Sequence, residues 1–292
     1  MNPAPLVSIV LPVWNGEAYV AEAIESCIGQ TLAEWELIVV DDASTDGTRD
    51  IVASYVERDG RIRLLQNAHN RRLPASLNRG FSRASGHFHT WLSDDNRFRP
   101  AAIERMSVFL KERSDIDMVY ADYTIIDEED RPRRQVAVEE PAQLIFENCV
   151  GPCFLYRREV HRRLGGYSEE LYLAEDYDFW LRAAGQFRLE RLPEDLYLYR
   201  HHPDSLSERS ADAVRRASDR CLLTNLPHLR RLGRQATALS CLELARRAAH
   251  RHDALSLLEG SLKAFRYAPL LITARFARFF RRKLRLFPRT KD

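Results

Sequence analysis

Two adjacent carboxylates, Asp94 and Asp95, follow an apolar run that begins at Phe88. A buried parallel strand has this pattern, and open α/β sheets bind their ligands at the carboxyl ends of such strands. Paired carboxylates there supply the hard oxygen ligands that Mg²⁺ or Mn²⁺ prefers beside a phosphate. A helix cap explains the same pair, because an aspartate ahead of a helix that begins at Pro100 would accept free backbone N–H groups. The pair alone leaves both interpretations open.

Two further acidic clusters are equally ambiguous. Asp41–Asp42 ends a second apolar run, Leu37–Val40, and parallel strands would bring both aspartate pairs to one edge of the sheet. Glu175–Asp176 begins a predicted helix, where acids also serve to complement the helix dipole. His201 and His202 follow the last apolar run, and a histidine at a strand end is more often a simple hydrogen-bonding residue than a ligand.

The elements that must position these side chains alternate between strand and helix. The apolar runs that predict the first four strands are Leu6–Val13, Leu37–Val40, Ile62–Leu65 and Phe88–Leu92. The helix that begins near Pro74 is expected to end at Gly86. This alternation predicts a right-handed, mostly parallel, doubly wound α/β sheet of the Rossmann-like kind. No G-x-G-x-x-G or G-x-x-x-x-G-K-S/T follows the first strand, which argues against a dinucleotide-binding fold and a P-loop.

Shorter elements are expected after the fourth strand. Residues 118–126 predict a strand-pair region with 127–131 as its turn, and 153–156 and 196–200 predict one strand each. Residues 141–148 have the pattern of a short amphipathic helix. From Ser207 onward the pattern is helical, with repeated Leu and Ala and no further strand.

Charge divides the chain into two parts. Residues 205–292 carry 20 Lys+Arg against 7 Asp+Glu (net +13), and residues 1–204 carry 24 against 35 (net −11). This asymmetry indicates an acidic catalytic body and a basic end that binds a polyanionic surface. The N-terminus lacks the features of a signal peptide and no apolar stretch of about 18 residues occurs, so we expect a cytosolic chain. The five cysteines lack a zinc-binding spacing and are expected to be reduced structural thiols.

The last predicted helix, residues 269–287, is amphipathic. At about 100° per residue, its large apolar side chains share one sector: Ile272, Phe276, Phe279, Phe280, Leu284 and Phe287. The arginines lie in the opposite sector: Arg275, Arg278, Arg281, Arg282 and Arg285. This composition predicts an interfacial membrane helix, and a basic solvated helix docked on the body is the alternative. Because the aromatic side chains are not interleaved with the arginines for base stacking, we expect no nucleic-acid partner.

Taken in order, these motifs resemble the family 2 glycosyltransferases, which are inverting enzymes of the GT-A fold. The resemblance covers about residues 5–207 and rests on six segments: Val7–Gly16, Val39–Thr48, Asn78–Gly80, Trp91–Asn96, Gly165–Tyr167 and Ala174–Trp180. It implies one GT-A domain over residues 1–207, with a nucleotide-binding half at about 5–98 and an acceptor-binding half at about 99–207. Residues 208–292 are then a basic helical C-terminal extension.

The resemblance also implies residue roles at the donor. Substrate-contacting residues are expected in the first segment, directly after it and in the third segment: Pro12, Val13, Asn15, Glu17 and Asn78. Asp42 matches the carboxylate that accepts the N3–H of a uracil, a suitable role for an acceptor-only group. Asp95 matches the metal-binding acid of the family's D-x-D motif, with Asp94 as a supporting substrate-binding residue. Ser93 and Asn96 replace two other acids of that cluster, so the donor diphosphate would have to supply further metal ligands.

On the acceptor side, Asp176 matches the family's catalytic base. Inversion is a single displacement, so one base must remove the proton of the acceptor hydroxyl. Glu175 beside it is expected to raise its proton affinity through like-charge repulsion. Gly166 and Tyr167 match the acceptor-side loop, where glycine permits the close approach of a sugar. His201, or the histidine after it, matches a basic residue near the diphosphate.

The sequence therefore predicts a cytosolic, peripheral membrane glycosyltransferase that uses Mg²⁺ or Mn²⁺ and a nucleotide-sugar donor, expected to be a UDP-sugar. The expected acceptor is a glycan or a lipid-linked molecule of cell-envelope polysaccharide synthesis at the inner face of the plasma membrane. A sugar nucleotidyltransferase would need a Gly- and Lys/Arg-rich phosphate loop, which residues 14–17 do not supply. A non-catalytic nucleotide-sugar-binding module would not need Asp95 and Asp176, and both are present.

Overall fold

The computed structural model describes residues 4–229, 234–250, 254–269 and 273. The chain divides into two compact units, Met1–Leu144 with Asn148–Ser218 and Ile145–Glu147 with Asp219–Asp292. The division falls later than residue 207, and the assignment of two functional halves within residues 5–207 stays a prediction. Except for Pro269 and Thr273, the predicted amphipathic helix at 269–287 lies outside the described residues.

The first unit is built on one sheet. Among the described residues its strands are β1 (Val7–Val13), β2 (Trp35–Asp41), β3 (Ile62–Gln66), β4 (Phe88–Trp91), β5 (Arg97–Phe98), β6 (Met118–Ile126), β7 (Pro132–Val136), β8 (Phe154–Arg157) and β9 (Leu189–Arg200). Its helices are α1 (Val20–Ile28), α2 (Thr48–Arg58), α3 (Arg72–Phe81), α4 (Ala102–Glu112), α5 (Arg158–Leu164), α6 (Glu175–Ala184) and α7 (Leu206–Arg209). Helix α8 (Ala211–Leu229) crosses into the second unit, which contains α9 (Arg234–His250) and α10 (Ala254–Tyr267).

The strand order is β3-β2-β1-β4-β8-β6-β9-β5, with β7 paired to β6. Strands β1 to β4 run parallel, and β6 and β9 run parallel to each other. Strands β5, β7 and β8 pair antiparallel with their neighbours. The predicted mostly parallel α/β sheet is confirmed, with the antiparallel strands confined to the half that follows β4.

Strand β1 lies between β2 and β4, and all seven of its residues are buried. Its register pairs Val13 with Asp41 and Val10 with Trp91. The chain therefore leaves all three strands at the same edge, as the apolar runs ending in acids predicted. The burial of β1 and β2 along their whole length explains why both read as continuous hydrophobic runs.

The strand pair predicted at 118–126 with its turn at 127–131 is present as the antiparallel strands β6 and β7. Three details differ from the sequence-based expectations. Residues 141–145 form a 3-10 turn, and the last strand begins at Leu189 instead of Leu196. Helix α3 ends at Phe81, five residues before Gly86. The glycine serves another purpose, because a Cβ on Gly86 would lie 2.6 Å from the backbone nitrogen of Ser8. Its role is close approach to β1, and the sequence does not distinguish that from a helix cap.

All five cysteines are buried thiols outside any disulfide bond, as expected. In the described part of the chain no helix combines the length and the apolar character that crossing a membrane requires.

Candidate active site

The loops that follow β1 and β2 are tied together by side chains. Asn15 has φ 55°, its N–H donates to Ser44 Oγ at 2.9 Å, and its Oδ1 accepts the N–H of Thr45 at 2.8 Å. Glu17 Oε2 accepts the N–H of Gly47 at 2.7 Å. Asn15 and Glu17, both predicted to contact the substrate, therefore hold the shape of this edge of the sheet.

The end of β1 exposes one large side chain. Pro12 and Val13, two predicted substrate-binding residues, are buried within the strand. Trp14, the first residue beyond the strand, is 52% exposed. A large exposed aromatic ring at a ligand-binding edge is a surface on which a nucleobase can stack. Trp14 was not predicted as a site residue, although a tryptophan between an apolar strand and an Asn-Gly turn could have indicated a ligand-binding position.

Asp42 is 4% exposed and already holds a loop in place. Its Oδ1 accepts two hydrogen bonds, from Asn67 Nδ2 at 2.6 Å and from the N–H of Arg71 at 2.8 Å. Its Oδ2 accepts one hydrogen bond, from the N–H of Arg72 at 2.8 Å. A carboxylate oxygen can accept two hydrogen bonds, so Oδ2 retains one acceptor position. Arg72 has φ 70°, a conformation that these bonds stabilise.

Asp94 follows β4 and lies against the loop after β1. A Cβ on Gly16 would come within 2.2 Å of Asp94 Oδ2, so the glycine makes room for this carboxyl group. Burial, and then the charge of Asp95, raises the pKa of Asp94 to about 8. The charged form of Asp94 is therefore disfavoured.

Asp95 has one partnered oxygen and one that is not. Its Oδ2 lies 3.1 Å from His202 Nε2, whereas its Oδ1 is buried without a hydrogen-bond partner among the described residues. Buried polar atoms normally have partners, and an unpartnered carboxylate oxygen is a suitable cation ligand. The residues therefore fit Mg²⁺ or Mn²⁺. Within residues 4–229, 234–250 and 254–269 no group of three His, Cys, Asp or Glu side chains completes a metal site, so a bound substrate would have to supply ligands.

The two histidines after β9 have different neighbours. His201 is exposed, and its Nε2 lies 3.0 Å from Glu208 Oε1. His202 is largely buried, packs on Tyr19 with ring centroids 5.2 Å apart, and has its pKa raised by the hydrogen bond with Asp95. Consecutive residues of an extended chain point in opposite directions, and the structure brings His202 to the acidic pair instead of the predicted His201.

Arg200 fixes the backbone beside this pair. Its side chain is 1% exposed and lies 2.6 Å from Glu22 and 2.8 Å from Asp130. Its Nε also donates to the carbonyl oxygen of Asp95 at 3.1 Å. Arg200 was predicted only as the last residue of a strand. Its neighbours in the sequence do not indicate that its side chain is buried and ion-paired.

Glu175 and Asp176 begin α6 and are partnered unequally. Glu175 is 5% exposed, its Oε2 has no hydrogen-bond partner among the described residues, and burial followed by the charge of Asp176 raises its pKa to about 8. Asp176 Oδ2 accepts Asn148 Nδ2 at 2.8 Å, and Oδ1 accepts the N–H of Tyr177 at 2.6 Å. Burial also raises the pKa of Asp176. The charged form of Glu175 is therefore disfavoured, with Asp176 the better stabilised anion.

Tyr199 on β9 is influenced by both acidic pairs. Burial raises the pKa of Tyr199, the hydrogen bond with Ser207 lowers it, and the charges of Asp95, Tyr123 and Asp176 raise it further. Tyr199 was not predicted as a site residue, because its position depends on the pairing of β9 with β6.

Tyr172 is influenced in a similar way by the third acidic cluster. Burial, and then the charges of Glu175 and Asp42, raises its pKa, while Arg72 lowers it. The guanidinium of Arg72 lies 5.1 Å from the centre of the Tyr172 ring. The charges of two acidic clusters thus affect each of the two tyrosines, Tyr172 and Tyr199.

Asn78 binds the glycine loop that precedes α6. Its Nδ2 donates to the carbonyl of Tyr167 and its Oδ1 accepts the N–H of the same residue, both at 2.8 Å. Gly166 has φ 83°, and a Cβ there would lie 2.5 Å from Asn78 Oδ1. The close approach that Gly166 permits is therefore to Asn78, and Tyr167 is 3% exposed. These three residues hold the loop that leads to Asp176.

The fold is similar to solved glycosyltransferase structures. S. aureus TarS 1-349 in complex with UDP-GlcNAc superposes with a TM-score of 0.64 at 19% identity, covering 87% of this chain and 90% of that one. The mannosyltransferase PcManGT from Pyrobaculum calidifontis, in complex with GDP-Man and Mn²⁺, gives a TM-score of 0.53 at 17% identity, covering 90% and 85%. The fold is therefore the GT-A fold, with helices added at the C-terminus.

The family model described as glycosyl transferase family 2 matches residues 8–165, more than half of the chain. The chain is 34% identical over 217 residues to the putative glycosyltransferase EpsE of Bacillus subtilis, which covers 72% of this chain and 78% of EpsE. It is 30% identical over 149 residues to the putative teichuronic acid biosynthesis glycosyltransferase TuaG of the same organism, covering 51% and 58%. The protein belongs to glycosyltransferase family 2.

Proposed function

We propose that this glycosyltransferase moves a sugar from a UDP-sugar to a hydroxyl of a glycan or lipid-linked acceptor, with inversion, during cell-envelope polysaccharide synthesis. The observation that carries the proposal is Asp95 at the carboxyl edge of the sheet, whose Oδ1 is buried without a hydrogen-bond partner among the described residues, in a segment that the family 2 model matches. The uracil nucleotide is proposed because TarS was solved with UDP-GlcNAc, and the envelope role because TuaG is named for teichuronic acid biosynthesis.

The donor lies along the ends of β1, β2 and β4 in this proposal. Trp14 stacks on the nucleobase, and the remaining acceptor position of Asp42 Oδ2 takes the N3–H of a uracil. Asp95, with Asp94 beside it, would hold Mg²⁺ or Mn²⁺, which when bound neutralises charge on the departing diphosphate. His202 holds Asp95 in position and adds positive charge on the same side.

Asp176 is the proposed general base. The acceptor oxygen attacks the anomeric carbon, its proton passes to Asp176, and the bond from the anomeric carbon to the diphosphate oxygen breaks. One displacement inverts the anomeric configuration. The hydrogen bonds from Asn148 and Tyr177 orient the Asp176 carboxylate, and the raised pKa of Glu175 disfavours a second negative charge beside it.

We also propose that the basic tail, residues 269–287, holds the enzyme at the inner face of the plasma membrane, where a lipid-linked acceptor would lie. This proposal rests on the sequence pattern, since only Pro269 and Thr273 of the tail lie within the described residues.

A panel of nucleotide sugars tests the donor assignment by thermal shift with Mn²⁺ present. A ligand at about a hundred times its Kd is expected to raise the Tm by about 5 to 10 °C. UDP-sugars should do so more than GDP-, ADP- or CMP-sugars. If only another nucleotide stabilises the protein, the uracil assignment is wrong; if none does, the donor site itself is wrong.

A further inference from the structure

Helix α10 in the second unit exposes its large side chains and buries its small ones. Five of the nine large apolar side chains that are exposed in the described residues lie on this one helix of 14 residues. The four most exposed are Leu255 at 81%, Leu262 at 61%, Leu258 at 58% and Phe265 at 51%. A helix that faced only water would have the opposite arrangement.

The buried side of α10 is made of small residues. Gly260 and Ala264 are buried, and a Cβ on Gly260 would lie 3.0 Å from the carbonyl oxygen of Cys241 and 3.0 Å from the nitrogen of Ala245. The backbone of α10 therefore lies directly on α9 through a contact that leaves no space for the leucines. The exposed leucines of α10 therefore do not pack between α9 and α10.

The four exposed side chains form one continuous face. With about 100° per residue and about 1.5 Å rise, Leu255, Leu258, Leu262 and Phe265 fall within a sector of about 80° and extend along about 15 Å. The centre of this face lies opposite Gly260 and Ala264. We call the four residues the α10 stripe. Scattered exposed leucines are normal on a protein surface, but a continuous apolar face marks an interaction site.

Charge identifies the partner that fits the α10 stripe. Residues 260–291 contain ten Lys and Arg and no Asp or Glu. A second copy of the chain would bring the same positive charge to the contact, which opposes self-association through this region. An anionic lipid surface offers both an apolar phase for the stripe and negative headgroups for the basic residues.

The sequence after α10 has an amphipathic pattern of its own. The apolar residues of 269–287 share one sector and the arginines of 269–287 share the opposite one. On α10, which ends at Tyr267, Lys263 and Arg266 lie outside the sector of the α10 stripe. Both stretches therefore combine an apolar sector with basic residues outside it.

We propose that the α10 stripe is a membrane-docking face that inserts into the headgroup boundary of an anionic bilayer. The inference goes beyond the proposed function, which concerns the catalytic unit, and beyond the predicted tail, because it assigns the contact to four side chains of a described helix. Its test measures lipid binding instead of sugar transfer, so its failure and the failure of the proposed donor chemistry are distinguishable.

The test is flotation of the full-length chain with vesicles of phosphatidylglycerol and phosphatidylcholine. We expect the double variant L258S/L262S to lower the partition coefficient about tenfold or more, because each leucine loses a favourable transfer into lipid. The matched control is V108S/L206S, which removes two other exposed apolar side chains and should bind as the unchanged protein does. Both variants should keep the Tm, since the substituted side chains are exposed.

A second measurement locates the contact. L262W should be quenched by brominated lipids in anionic vesicles if residue 262 enters the bilayer. Unchanged flotation of L258S/L262S, or an unquenched L262W on bound protein, would show that the tail alone binds and would overturn the proposal. A change in oligomeric state of L258S/L262S by light scattering, with lipid binding intact, would assign the stripe to a second copy and overturn it as well.

Discussion

The two acidic pairs at the carboxyl edge of the sheet differ in what their second members contact. In each pair one acid, Asp94 or Glu175, is desolvated and has its pKa raised to about 8. The other acid has a partner: Asp95 contacts His202, a residue that can carry positive charge, and Asp176 accepts a hydrogen bond from the neutral amide of Asn148.

The difference between the partners indicates different chemistry. A carboxylate whose second oxygen is buried and unpartnered, as in Asp95, is suited to hold a cation. A carboxylate held by two neutral donors, as in Asp176, keeps its charge and orientation while it can still accept a proton. Two adjacent acids thus occur twice at this edge of the sheet. In the proposed mechanism one pair binds the cation and the other removes a proton.

The largest effect is expected from removing the carboxylate of the first pair. Asp95→Ala should lower kcat/KM on the order of 10³-fold and abolish the dependence of donor binding on Mn²⁺, because charge on the leaving diphosphate is no longer neutralised. Steady-state kinetics and titration of UDP with and without Mn²⁺ measure both. The control is His201→Ala, which loses only an exposed contact with Glu208 and should behave as the unchanged enzyme does. Donor binding by Asp95→Ala that still responds to Mn²⁺ would refute the assignment of this pair.

Removing the hydrogen-bond partner of each carboxylate should have smaller effects, and these effects should differ between the two pairs. His202→Ala should weaken Mn²⁺-dependent donor binding about tenfold, because Asp95 loses the group that orients it. Asn148→Ala should leave donor binding unchanged. Its hydrogen bond lowers the pKa of Asp176, so its removal raises that pKa and moves the acidic limb of the kcat/KM profile to higher pH, by about one pH unit. Both variants affecting the same parameter would mean that the pairs do not have separate roles.

The sequence predicted those features that depend on neighbours along the chain. Apolar runs identified β1 to β4, and because parallel strands end at one edge, Asp41–Asp42 and Asp94–Asp95 were expected together. Asp42, Asp95 and Asp176 were chosen through the resemblance of their segments to family 2 glycosyltransferases, because the acids alone are also compatible with helix caps and helix-dipole partners.

Features that depend on packing could not be predicted in this way. Tyr199 is influenced by the acidic pairs only because β9 pairs with β6, and the choice between His201 and His202 depended on the direction in which β9 ends. Gly86 was assigned to a helix end because close approach and capping favour the same residue. His89 illustrates the same limit: it lies among aromatic rings with its pKa lowered by burial to about 3, and nothing local indicates that.

The central claim is that Asp95 and Asp176 are the working carboxylates of the two pairs, and the second pair tests it most directly. The measurement is kcat at neutral pH for Glu175→Gln beside Asp176→Asn, with UDP binding measured for both. Because burial raises the pKa of Glu175 to about 8, Glu175→Gln should stay within about tenfold of the unchanged enzyme, whereas Asp176→Asn should lose about 10³-fold in kcat and bind UDP normally. Equal losses in the two variants, or turnover by Asp176→Asn at the rate of the unchanged enzyme, would contradict the account.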